Sequence, residues 1–193
     1  MNGRKTSDSE DAVQRLLQGD EEAFTLLVRQ WEGRVYNLAL RMLGNREDAQ
    51  DVAQDTFFSV YKSAGSLRDP KSFNTWLYRI ALNHCRARWR SRTPELPLDD
   101  SIPESELRDG SGSLGSPLLR GTKDPVELRD LIRKALLGLS QDHRTAVVLK
   151  EYLGLSLEEV AQVTDVPLST AKSRLYHGLR EVQHNLVRLG ARP

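Results

Sequence analysis

Cysteine is nearly missing from this 193-residue sequence, with Cys85 standing alone. A single thiol excludes an internal disulfide framework and fits a reducing compartment. Long apolar runs are missing too. No eighteen apolar residues follow one another, so no helix long enough to span a bilayer is expected, and no membrane insertion. The opening stretch from Met1 to Glu10 lacks the apolar segment of a signal peptide and reads as a disordered lead-in. These features together lead us to expect a cytoplasmic protein. Neither strand-like alternation nor an internal repeat is present, and there is no glycine-rich phosphate-binding loop. An excess of one charge is also lacking: 28 Lys/Arg stand against 27 Asp/Glu, a net charge of +1.

What is there is ordinary for a helical protein and too polar for a membrane one: 38% hydrophobic and 28% charged residues. The length allows one compact domain or two small ones. The balanced charge conceals a partition, because residues 1–93 hold +3, residues 94–125 hold −4 and residues 126–193 hold +2. Two mildly basic ends flank an acidic middle, a pattern that permits two DNA-contacting modules without demanding them. The middle, Thr93-Pro-Glu-Leu-Pro-Leu-Asp-Asp100 through Arg108-Asp-Gly-Ser-Gly-Ser-Leu-Gly-Ser-Pro117, is rich in Gly, Ser, Pro and acid. Such composition cannot bury enough apolar surface to offset its ordering entropy. We therefore expect an all-α chain of two small helical domains joined by a flexible linker. The lead-in covers 1–10, an amino-terminal helical bundle 11–92, the acidic linker 93–123, a carboxy-terminal helix-turn-helix domain 124–188, and a tail 189–193.

Helix punctuation supports this division. Gly44 closes one helix, and Asn45-Arg-Glu-Asp48 opens the next with a cap and acids in its first turn. Asp124-Pro125-Val126-Glu127 supplies a cap, a proline at the first helical position and an acid at the third. Ser156-Leu-Glu-Glu159 is a capping box, with Leu155 and Val160 placed to staple it.

Three segments carry chemistry. The helix from Arg46 to Lys62 sets Glu47, Asp48, Asp51, Gln54 and Asp55 beside an apolar stripe of Ala49, Val52, Ala53, Thr56, Phe57 and Val60. Carboxylates repel phosphate, so this face is either plainly solvated or a dock for a basic protein partner. The helix from about Phe73 to Arg90 is opposite in character. Its core stripe reads Phe73, Leu77, Ile80, Ala81 and His84, while Trp76, Arg79, Asn83, Arg86 and Arg90 recur along another face, with Arg88 and Arg92 nearby. Rings and guanidiniums on one face suit single-stranded DNA, through base stacking and backbone charge; a half-buried Trp beside soluble arginines is the bland equivalent. The polar loop before it, Gly65 to Ser72, is placed to close over an extruded base. In the carboxy-terminal domain, Ser156 to Thr164 forms a short amphipathic helix, Asp165-Val-Pro167 a turn, and Leu168 to Leu186 a longer helix. That helix has an apolar stripe of Leu168, Ala171, Leu175, Leu179, Val182 and Leu186, and small Ala161 lets the two helices cross closely. Away from the stripe lie Ser169, Thr170, Lys172, Ser173, Tyr176, His177 and Arg180. This is the layout of a helix-turn-helix, whose second helix enters the major groove.

Four segments appear in an order that is recognisable: Gly19-Asp-Glu-Glu-Ala-Phe24, Asp48-Ala-Gln-Asp-Val-Ala-Gln-Asp-Thr-Phe57, Phe73-Asn-Thr-Trp-Leu-Tyr-Arg-Ile-Ala-Leu-Asn83 and Val166-Pro-Leu-Ser-Thr-Ala-Lys-Ser-Arg-Leu175. Together they resemble the extracytoplasmic-function sigma factors of the bacterial sigma-70 family. The resemblance implies a non-enzymatic factor without cofactor or metal that gives RNA polymerase its promoter specificity. Asp48, Asp51, Gln54, Asp55 and Phe57 would grip the coiled coil of the polymerase's largest subunit, and the partner surface on core polymerase would include the flap. Arg68, Lys71, Phe73, Asn74, Trp76, Arg79, Asn83, Arg86 and Arg90 would recognise and open the minus-ten element, capturing a flipped base. Ser169, Thr170, Lys172, Ser173, Arg174, Tyr176, His177 and Arg180 would read the minus-thirty-five duplex. The linker would thread near the active-site cleft and RNA exit path, and an anti-sigma partner would mask the DNA faces. Two departures from the family pattern stand out. Ala171 replaces a valine in the Gly-Thr-Val-Lys-Ser-Arg run, and His177 replaces an arginine, so the bidentate guanine contact of that arginine is not expected.

Two other readings exist. A stand-alone helix-turn-helix regulator would dimerise and read palindromes, leaving the acidic and Trp/Arg faces without purpose. A nuclease would need a metal or acid–base site, for which Asp142 with His143, or His177 with His184, supply too few ligands. Cys85, beside Arg86 in a helix, reads as a small core residue more readily than as a redox sensor.

Overall fold

A computed structural model describes residues 3–92 and 125–190, which fall into two compact units dividing at Ser91 and Arg92. The linker reading of 93–123, the Asp124 cap and the end of the tail lie outside the described residues. Among the described residues there is no strand.

The first unit is a bundle of four helices. Helix α1 spans Gly3–Leu17, α2 Glu21–Leu43, α3 Arg46–Ser63 and α4 Phe73–Arg92. The lead-in expected to be irregular over 1–10 is helical from Gly3 onward. No proline interrupts the run to Asp11, and its polar residues tolerate a helix that the apolar stripe of α1 continues. Gly19, at φ 89°, turns the chain. Asp20 then caps α2, its carboxylate accepting from the backbone N–H of Glu22 at 2.9 Å and Ala23 at 3.2 Å. The same carboxylate accepts from Arg15 Nε at 2.8 Å, and that partner holds it below the usual carboxylate range. Helix α2 buries Ala23, Leu27, Trp31, Val35, Leu38, Ala39 and Met42, at helical spacing along one face. It ends at Gly44 in the left-handed conformation (φ 71°), and Asn45 caps α3 by accepting from the Asp48 N–H at 3.1 Å. The expected stripe of α3 is buried in full. Helix α4 buries Phe73, Leu77, Tyr78, Ala81, Leu82 and Cys85. Ile80 and His84, expected in that core, are only half-buried. The stripe is rotated toward Tyr78 and Leu82, and His84 Nε2 instead lies 2.9 Å from Ser59 Oγ of α3. Burial pushes the Cys85 thiol up to about 12.

The second unit comprises α5 (Pro125–Leu137), α6 (Gln141–Val147, continuing as a π turn over Val148–Tyr152), α7 (Leu157–Thr164) and α8 (Leu168–Arg188). Ala135, Leu136, Leu139, Ala146, Val147, Leu175, Val182 and Leu186 form its core. Each large aliphatic among them contributes about 1.5–3 kcal/mol by leaving water. Arg144 is buried and donates to the carbonyls of Leu137 at 2.6 Å and Leu139 at 3.0 Å, closing the end of α5. Desolvation lowers its guanidinium to about 10, so it stays charged at neutral pH. Ser156 and Glu159 form the reciprocal box at the start of α7, with hydrogen bonds of 3.1 and 2.7 Å. Asp165 stops α7 at φ 61°, the one non-glycine positive φ among the described residues. The α8 stripe differs from expectation at its start, where Leu168, the first helical residue after the Pro167 cap, is 37% exposed, and at Gly178, which is buried in the stripe.

Candidate protein and nucleic-acid interfaces

The acidic face of α3 is narrower than its sequence suggests. Asp51, Gln54 and Asp55 are exposed along with Glu47. Asp48 is not: it is 5% exposed, and Arg88 of α4 reaches it at 3.6 Å while contacting Asp51 at 2.8 Å. Asp48 therefore joins α3 to α4 through Arg88 instead of facing a partner. Phe57 is buried as well, whereas its neighbour Phe58 is 60% exposed with the Lys62 ammonium 4.1 Å from its ring centre. Phe58 and Tyr61 belong to neither the acidic set nor the apolar stripe read from the sequence. Their spacing from Gln54, four and seven residues, puts all three on one side of the helix. Between α2 and α3 lies a cavity of about 860 Å³ lined by Phe24, Val28, Tyr36, Gln54, Phe58 and Tyr61 among others. The face thus combines exposed carboxylates with an apolar cleft.

The α4 face presents Arg79, Asn83 and Arg90 to solvent, with Trp76 and Arg86 half-buried. Phe73 does not share it, being 3% exposed. Its ring packs edge-on against Trp31 of α2 (5.7 Å between centroids) and supports Trp76 at 6.0 Å. Trp31 in turn meets Tyr78 at 5.9 Å, and the Arg34 guanidinium lies 4.8 Å from the Trp31 ring centre. Phe73 therefore backs the tryptophan and is unavailable to a base. The support from α2 has no signature within the α4 segment itself. The preceding loop is two short 3-10 turns, Ala64–Ser66 and Pro70–Ser72, pinned by buried Leu67. Asp69 accepts from the Lys71 N–H at 3.0 Å, and Ser72 Oγ donates to the Asp69 carbonyl at 2.8 Å. This bracing leaves Arg68 and Lys71 exposed, with half-buried Asn74 accepting from the Thr75 N–H.

On the recognition helix α8, Ser169, Lys172, Tyr176 and Arg180 are exposed, and Thr170, Ser173 and His177 half-buried. Arg174 is diverted: its guanidinium pairs with Asp142 of α6, so it braces the two helices before it contacts anything else. Among the described residues no group of three His, Cys, Asp or Glu side chains is placed to hold a metal ion. No described helix is long and apolar enough to cross a membrane.

Residues 27–95 match the family described as Sigma-70 region 2, and residues 129–182 the family described as Sigma-70, region 4. The chain is 34% identical over 181 residues to the RNA polymerase sigma-H factor of Pseudomonas aeruginosa, covering 90% of this chain and 91% of that one. It is 33% identical over 178 residues to the ECF RNA polymerase sigma factor SigW of Bacillus subtilis, covering 90% and 94%. Its fold is similar to that of CnrH, solved in complex with the cytosolic domain of CnrY (TM-score 0.68, 22% identity, 94% and 98% coverage). It is likewise similar to the sigma factor RpoE of Bartonella quintana, solved with the anti-sigma factor NepR (TM-score 0.62, 20% identity, 86% and 98% coverage).

Proposed function

The chain belongs to the extracytoplasmic-function subfamily of the sigma-70 family and is an RNA polymerase sigma factor; from that premise we propose how its surfaces divide the work. A sigma factor binds core RNA polymerase and promoter DNA. Residues 11–92 act as the unit that joins polymerase and opens the minus-ten element, 124–188 as the reader of the minus-thirty-five element, and 93–123 as an acidic tether between them.

Asp51, Gln54 and Asp55, with Phe58 beside them, dock on the basic coiled coil of the polymerase's largest subunit. Their carboxylates steer the encounter, and the ring and cleft supply apolar contact. Trp76, Arg79, Asn83, Arg86 and Arg90 take unpaired bases and their phosphates, and Arg68 and Lys71 hold the backbone at the loop. Stacking on Trp76 is worth about 1–3 kcal/mol per base, which offsets much of the stacking lost when a base leaves the duplex. Opening therefore follows from capture, with no hydrolysis and no catalytic residue. Ser169, Thr170, Lys172, Ser173, Tyr176, His177 and Arg180 meet the duplex, and the flap holds this unit. Polymerase fixes the separation of the two units and turns two weak contacts into one specific one. The chain works in the cytoplasm, and an anti-sigma protein covers its DNA faces.

The observation that carries this reading is the pair of opposed surfaces on one helical unit: carboxylates exposed on α3, ring and guanidiniums on α4. A match that spans both regions disfavours a stand-alone regulator. In vitro transcription with core polymerase and a genomic promoter library tests it. A set of transcripts dependent on this chain is expected, and none from any promoter would sink the reading.

A further inference from the structure

The recognition helix carries His177 midway along its length, and the fold gives that histidine a partner on another helix. The rings of His177 on α8 and His143 on α6 stack, with centroids 5.8 Å apart and planes 20° from parallel. Gly178 permits the approach: a Cβ there would lie 3.0 Å from the His143 carbonyl oxygen and 2.7 Å from Val147 Cγ2. His143 is held at both ends. Its backbone N–H donates to Ser140 Oγ at 3.3 Å, and its ring Nδ1 lies 2.9 Å from Glu181 Oε1. An ionised carboxylate can only accept, so Nδ1 carries the hydrogen.

The other charges nearby have their own engagements. From α6, Asp142 pairs with Arg174, one turn before His177. From α7, Glu159 is held in the capping box, and Glu158 hydrogen-bonds Ser156 with Lys172 and Lys150 near it. From α5, Asp130 engages Arg133 and Lys134. On α8 itself Lys172 and Arg180 are exposed, and Glu181, one turn beyond His177, is engaged by His143. The ring facing His177 is thus an imidazole whose counter-charge is Glu181.

We propose that His143 is a positioning residue for minus-thirty-five recognition, and that the stacked His143–His177 pair, anchored by Glu181, makes duplex binding by this chain proton-dependent. The inference rests on the sigma-factor reading above. An imidazole is the side chain that changes charge between about pH 5 and 8. A phosphate beside His177 favours the charged form of its ring. Binding then takes up a proton, and affinity climbs as pH falls, by up to about tenfold per pH unit for one linked proton. An arginine there would hold its charge throughout.

The test uses holoenzyme assembled from the full chain and core polymerase, with promoter duplexes selected from a genomic library, and reads duplex retention across the imidazole range. Wild-type retention should fall several-fold as pH rises. His177→Arg should flatten the profile with binding kept, and His177→Gln should flatten it at low retention. His143→Gln should lower retention several-fold across the range where wild type binds, because His177 loses the ring that holds it in place. One profile shared by wild type and His177→Gln overturns proton linkage at this site, and an unmoved profile in His143→Gln overturns the positioning role. Proton NMR of the full chain without polymerase or DNA reads the stack independently. His143→Gln should displace the ring signals of His177 and leave those of His184 in place; no displacement refutes the array. If no duplex is retained at any pH while that displacement is seen, the sigma-factor reading has failed and the DNA linkage with it, although the stack itself stands.

Discussion

Alanine at Gly178 sets two helical effects against each other. In an isolated helix the change would stabilise by about 1 kcal/mol, because glycine leaves more backbone freedom in the unfolded chain. Here the new methyl would meet Val147 Cγ2 at 2.7 Å and the His143 carbonyl oxygen at 3.0 Å. Neither neighbour can yield cheaply. Val147 is fully buried and its β-branched side chain is restricted at χ1, and the oxygen belongs to the main chain of α6. Overpacking of this kind costs about 1–3 kcal/mol, and two rigid contacts place it in the upper half of that range. The clash therefore wins, leaving a net loss of about 1–2 kcal/mol. In a unit of this size each kcal/mol lowers the melting midpoint by about 4–8 °C. Thermal and urea unfolding of the full chain, followed by circular dichroism, measures the change. Gly33, mid-helix in α2 with nothing within 4 Å of an added Cβ, is the control, and Gly33→Ala should stabilise by about 0.5–1 kcal/mol. If Gly178→Ala were as stable as wild type, α6 and α8 would not cross closely at this point. The stacking of His143 on His177 would then lose its basis.

Three further outcomes follow from the same structure. Changing Gln54 and Asp55 to arginine should weaken association with core polymerase more than tenfold in a competition assay while leaving the melting midpoint nearly unchanged, as both are exposed and Asp51, which pairs with Arg88, is left in place; Asp48→Ala should do the opposite and destabilise, because it removes the buried member of the Asp48–Arg88–Asp51 bridge between α3 and α4. The Cys85 thiol, pushed up to about 12, is about one part in ten thousand thiolate at pH 8, so alkylation should be negligible in the folded chain and fast in denaturant. Its raised value contributes stability that is full below the ordinary thiol range near 9 and lost as pH climbs from there toward 12. Asp165→Val should cost about 1–2 kcal/mol and Asp165→Gly should be neutral or stabilising by urea titration, because the residue sits at φ 61°.

Local grammar was legible in the chain. The glycine stop at Gly44, the Asn45 cap, the Ser156–Glu159 box and the stripe of α3 all follow from contacts within a few residues, and all are present. The site residues that moved did so through partners distant in sequence. Asp48 turned inward to Arg88, forty residues on; Arg174 was taken by Asp142; Phe73 became the backing of Trp76 because Trp31 of α2 lies behind it. Helical periodicity gives the face on which a residue lies but not which neighbour covers it. For the same reason Phe57, expected both in the stripe and at the polymerase contact, serves only the bundle, while Phe58 reaches solvent. The stack of His143 on His177 joins two helices across 34 positions and carries no local signal at all.

The division of labour between α3 and α4 is tested most directly by permanganate reactivity of thymines at the start site, with holoenzyme carrying wild-type chain or Trp76→Ala. On duplex promoters the variant should lose most of the thymine reactivity, and on templates mismatched over the minus-ten region it should recover it, since the opening step has been done in advance. Equal loss on both templates would mean that Trp76 supports the fold or the polymerase contact, and that unpaired bases are not what the α4 face receives.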